Sequence, residues 1–160
     1  MVHKPGVTPT VWKKGKLVYG SGLTLDTVKK MMEAGEKEAE KLGVPVVLAI
    51  TDAGGNLLAL HRMNGVMLAS IQIATDKALT AVFGKLPTGE WGSLFQPGGL
   101  VPLFVHERWI TFGGGYPIIN DGVILGGIGV SGGTIEDIYV AKAALQAGNF
   151  NTNGADDSVT

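Results

Sequence analysis

The chain has 160 residues, of which 45% are hydrophobic and 17% charged, with a net charge of −1. That length suits a single domain, large enough to bury roughly two thirds of its unfolded surface around one core. Neither charge sign gathers into a patch suited to a phosphate backbone, and the absence of cysteine excludes disulfides, cysteine-ligated zinc, iron–sulfur clusters and haem attachment through C-x-x-C-H.

The N-terminal MVHKPGVTPTVWKKGK lacks an apolar signal core, and no apolar run approaches the roughly 20 residues that span a bilayer. A cytoplasmic protein without membrane or nucleic-acid partners is therefore expected. Residues 1–22 read as an N-terminal arm or short hairpin. The clearest helix is LTLDTVKKMMEAGEKEAEKLG, where Leu25, Val28, Met32, Gly35, Ala39 and Leu42 recur in steps of three and four. Thr24 suits the N-cap, Asp26 the positive end of the helix dipole, and Gly43 followed by Pro45 the stop. Glu33, Glu36 and Glu40 suggest a metal face, but the interleaved Lys29, Lys37 and Lys41 mark a solvated one.

VPVVLAITDAGGNLLALHRM reads as two strands joined at Asp52–Asn56, with the first strand apolar on both faces and hence central. Asp52 fits a turn residue that bonds its own backbone better than a catalytic carboxylate. VMLASIQIATDKALTAVFG returns to helical spacing at Leu68, Ile71, Thr75, Ala78 and Val82, with Gly84 at the expected C-cap. A short helix capped by Thr88 follows. Extended runs are then expected over 101–105, 108–112, 116–120 and 123–130, the last two joined by Asn-Asp-Gly. A final helix runs from Thr134, whose T-I-E-D resembles a capping box, to about Gln146. Residues 148–160 form a polar tail.

This order is not the alternation of a parallel sheet. The two hairpin turns predict an α+β domain over 23–147, an antiparallel sheet of about five strands with helices packed on it.

Gly127-Ile-Gly129-Val-Ser-Gly132 reads as G-x-G-x-x-G, the dinucleotide fingerprint. Its second half fails, because one helix and the tail use up the chain before a second parallel strand and a ribose-binding acid can appear. Glycines inside a strand instead mark close approach to the backbone by a helix, a second subunit or a flat ligand. Gly113, Gly114 and Gly115 form a second such place, where exposed N–H groups also suit an anion. His61, beside Arg62 and Met63, and His106, beside Glu107, are the candidate donors or acid–base groups, and His3 falls in the arm. No H-x-x-H, H-E-x-x-H or Ser-His-Asp arrangement is present.

Taken in order, LGVPVVLAITDAGGNLLALHRMNG, SIQIATDKALTAVFGKLP, QPGG and FGGGYPIINDGVILGGIGVSGGTIEDIYVAKAAL resemble the GlcG/HbpS family, which includes the C-terminal domain of PduO corrinoid adenosyltransferases. The resemblance runs from about Leu23 to Ala147. It implies a profilin-like sheet flanked by helices, homo-oligomers from dimer to octamer and, in several members, haem binding or degradation. It does not imply adenosyltransferase activity, which belongs to the other PduO domain. Where the family has Arg-Met-Asp-Gly this chain has Asn64 for the Asp, and His61 stands just before the motif.

The expectation is a small-molecule binder, with haem as the candidate cofactor and a site drawn from His61, Arg62, His106, Gly113, Gly114, Gly115, Gly127 and Gly129. His61 is the first choice for iron, and Arg62 or Arg108 suits a propionate. The competing classes are an enzyme acting on a small organic acid, an aldehyde or haem, with His61 or His106 as acid–base, and an accessory subunit whose glycines serve assembly only.

Overall fold

The computed structural model describes residues 22–95 and 107–152, together with the backbone of 12–13 and 16–17. His3, His106, the run over 101–105 and most of the C-terminal tail lie outside the described residues. Two short strands, β1 (Trp12–Lys13) and β2 (Lys16–Leu17), pair antiparallel.

Helix α1 (Leu25–Leu42) begins where the cap chemistry places it, with Thr24 Oγ1 accepting the Thr27 N–H at 3.2 Å. It ends at Gly43 in the left-handed region, φ 72°. There the Gly43 N–H donates to Glu40 O and the Val44 N–H to Ala39 O, which satisfies carbonyls the helix end leaves open. Strands β3 (Val47–Asp52) and β4 (Leu57–Arg62) form the expected hairpin. Asp52 holds its turn by accepting from the Gly54 and Asn56 N–H groups, both at 2.9 Å.

Helix α2 (Ala69–Gly84) departs from expectation at its end, because Lys85 rather than Gly84 takes the left-handed position, φ 59°. Gly84 is required for another reason: a Cβ there would collide with the Trp91 indole. Helix α3 (Thr88–Leu94) also differs, since Thr88 is its first helical residue and Pro87 its cap. The Thr88 hydroxyl is spent elsewhere, accepting the Gly115 N–H at 3.0 Å and reaching Gly115 O at 3.5 Å.

Strands β5 (Gly115–Asn120) and β6 (Val123–Ser131) complete one antiparallel sheet in the order β4-β3-β6-β5, and helix α4 (Ile135–Ala147) closes the domain. Among the described residues this main sheet has four strands, not about five. The expected run over 108–112 is no strand: Thr80 of α2 accepts the Ile110 N–H at 3.0 Å and donates to Arg108 O at 3.4 Å. A side chain thus satisfies the backbone that a neighbouring strand would have paired.

The strands separate two packed faces by alternation. Leu48, Ile50, Ile118, Ile128 and Val130 form the main core with Val28, Met31 and Met32 of α1 and Val140, Ala144 and Leu145 of α4. Val47 and Ala49 face the other way onto Ala74 of α2, joined by Leu60 and Ile71. No described helix is long and apolar enough to cross a membrane.

Candidate functional site

The glycines of β6 lie under α2. A Cβ at Gly129 would strike Ala74 O and come within 2.6 Å of Ala78 N, while one at Gly127 would strike Ala78 O and meet Val82 Cγ2 at 2.6 Å. Gly115 on β5 meets Lys77 O at 2.6 Å in the same way. The close approach that these residues signal is therefore that of a helix, whose backbone packs straight onto the sheet. The antiparallel pairing of β6 with both β3 and β5 also removes the parallel sheet that a dinucleotide site requires.

Gly114, at φ 113°, occupies a different setting. Beside it, Lys77 is wholly buried, its ammonium donating to Val130 O at 2.7 Å and Asp137 Oδ2 at 2.9 Å, and lying 4.8 Å from the Phe112 ring centroid. A Cβ on Gly114 would come within 2.9 Å of both Lys77 Nζ and Asp137 Cβ. Burial pushes the Lys77 ammonium below the usual lysine range, and the Asp137 charge and hydrogen bond oppose that push. Asp137 also accepts the Gly133 N–H at 2.8 Å, so one carboxylate ties α4, the turn before it and α2 together.

His61 lies on the edge strand β4, opposite Leu48 and on the α1 side of the sheet, where its Nδ1 contacts Glu36 Oε1. The imidazole remains about half exposed, at 49%. Arg62, the last residue of the strand, pairs with Val47. Beside them is an open cavity of about 350 Å³ lined by Glu36, Glu40, Arg62, Met63 and Asn64. The suspected carboxylate face of α1 is divided, Glu33 pairing with Lys37 at 2.7 Å and Glu36 with His61. Among the described residues no three His, Asp or Glu side chains gather into a metal cluster. Arg108 is drawn to Asp76 of α2, Nε to Oδ1 at 2.7 Å.

Gly113 opens onto a separate cleft of about 240 Å³ between α3, the start of β5 and α4, shared with Glu90, Tyr116, Ile138 and Lys142. Ile138 and Lys142 stand four apart on one face of α4. Burial first, and the Glu90 charge second, push the Tyr116 phenol above its usual value.

A family model described as Haem degrading protein HbpS-like matches residues 23–146. The chain belongs to the HbpS-like family. It is 40% identical over 127 residues to a protein described as an uncharacterised 15.0 kDa protein of the dhaT-dhaS intergenic region of Citrobacter freundii, covering 77% of this chain and 89% of the relative. Corrinoid adenosyltransferase PduO of Citrobacter freundii is 40% identical over 135 residues, 82% of this chain but only 40% of PduO. The crystal structure of a PduOC:haem complex matches with a TM-score of 0.78 and 36% identity, covering 82% of this chain and 98% of that one.

The sequence pattern of this HbpS-like chain did not mark Lys77, Asp137, Glu90 or Lys142 as members of a site, and it placed Glu36 on a carboxylate face of α1 without its partner His61. A lysine inside a helical apolar pattern was the one available signal for Lys77, since charged groups are buried mainly when paired. The partners of the rest were distant in sequence.

Proposed function

We propose that this chain is a haem-binding protein and that His61 supplies the axial donor to iron. The observation that supports it most is the likeness to the PduOC:haem complex over 82% of the chain at 36% identity. His61 fits the role in its local chemistry. Glu36 engages Nδ1, which fixes the ring and leaves the Nε2 lone pair for a metal, as a carboxylate partner does for many ligating histidines. Bound haem would bring an iron centre for ligand binding or redox chemistry, and Arg62, which lines the adjoining cavity, is the candidate for a propionate.

The cavity beside His61, about 350 Å³, is too small and too open to enclose a tetrapyrrole. Exposed Leu57, Met67 and Leu68 add apolar surface on β4 and before α2. A second copy of the chain is the natural remaining wall, and the protein assembles as a homo-oligomer on this reading.

Haem titration of the purified protein, followed at the Soret band, tests the proposal. Saturable binding is expected, with His61→Ala shifting the ferric spectrum and weakening affinity, and Glu36→Gln having a smaller effect. An unchanged spectrum in folded His61→Ala removes His61 as the ligand. Light scattering that gives a 16.6 kDa particle throughout the micromolar range rejects the oligomer.

A further inference from the structure

The cleft at Gly113 shares no lining residue with the cavity beside His61. Lys142 of α4, Glu90 of α3 and Tyr116 of β5 line the cleft, with Pro87 and Ile138 as apolar neighbours. Among the described residues Lys142 and Glu90 make no ion pair or side-chain hydrogen bond, so a cation and an anion face one cleft without neutralising each other. Among the described residues β5, at the cleft, has no further neighbour in the main sheet.

We propose that this cleft binds a small carboxylic acid bearing a hydrogen-bond donor, with the carboxylate on Lys142 and the donor, an ammonium or a hydroxyl, on Glu90. Charge selects this class. A simple anion meets Glu90, a simple cation meets Lys142, and only a molecule carrying both kinds of group satisfies both walls. Size selects within it. A volume of about 240 Å³ holds about eight waters at roughly 30 Å³ each, which suits an acid of about three to five carbons and excludes a tetrapyrrole. The Tyr116 hydroxyl adds a donor for the second carboxylate oxygen, and Ile138 covers the short carbon chain. The site is distinct from the one at His61 and does not depend on haem.

Calorimetric titration of the full chain with four probes of one carbon skeleton tests the inference: lactate, alanine, propanoate and lactamide. Lactate or alanine is expected to bind at least about tenfold more tightly than propanoate, which lacks the donor, and lactamide, which lacks the charge. Preference between the first two tells a hydroxyl from an ammonium. Lys142→Met should weaken the better probe by about tenfold or more, and Glu90→Gln should remove the discrimination against propanoate. Saturating the better probe should leave haem affinity unchanged. The inference is overturned if none of the probes binds, if propanoate and lactamide bind as well as the rest, or if Lys142→Met binds normally while folded. Competition between the probe and haem would place the acid elsewhere.

Discussion

Lys77→Met removes the buried cation at the junction of α2, β6 and α4. The substitution nearly conserves length, so its effect comes from charge and hydrogen bonding rather than from a large cavity. Three interactions disappear: the hydrogen bond to Val130 O, the ion pair with Asp137 and the contact with the Phe112 ring. Asp137, 2% exposed, is left as a buried carboxylate without its counter-ion. Breaking a buried pair from one side typically costs about 3–5 kcal/mol. The remaining Gly133 N–H places the value near the lower end. For a chain of this size that loss lowers Tm by roughly 6–20 °C. Denaturant unfolding of the wild type, Lys77→Met, Asp137→Asn and the double variant measures it as a cycle. The double variant should recover about half of the loss, because its amide no longer buries an unpaired charge yet still accepts from Gly133. A single-variant loss below about 1 kcal/mol, or a double variant no better than Lys77→Met, would show that the ion pair does not hold this junction.

Gly129→Ala should destabilise the fold by about 1–3 kcal/mol, since the added methyl meets backbone of α2 that cannot rotate away, and an unchanged Tm would contradict that packing. Thr51→Val should be neutral or stabilising by about 1 kcal/mol, because the wholly buried Oγ1 has no hydrogen-bond partner among the described residues and valine keeps the branched shape; a loss in thermal denaturation would refute that account. Tyr116 should titrate above its usual value of 10.0, so the folded protein keeps a proton that the unfolded chain releases. Its contribution to stability is complete below about pH 10 and is lost as the pH rises through the folded value. Ultraviolet titration of phenolate, with Tyr116→Phe as the reference, reads this directly, and Glu90→Gln should reverse only part of the shift because burial is the larger cause.

The sequence by itself determined what depends on neighbours a few residues apart. Helix α1 carries its stripe, its Thr24 cap and its Gly43 stop within 20 residues, and Asp52 closes its turn onto Gly54 and Asn56. The ordered motifs placed the chain in its family, and the glycines of β6 declared that something touches the backbone. What touches them only the tertiary structure decided, because a missing side chain records the need for space without recording its occupant. The same holds for 108–112, where a strand pattern is satisfied by Thr80, some 30 residues away in α2. Lys77 and Asp137 lie 60 residues apart, and His61 and Glu36 lie 25 apart. Each pair exists because two elements with separate local codes pack together: α2 and α4 reach each other past β6, and α1 crosses the end of β4. Glu90, Tyr116 and Lys142 share a cleft for the same reason. Backbone propensity and capping act over one or two turns, whereas pairing of charges across a core requires the core to have formed.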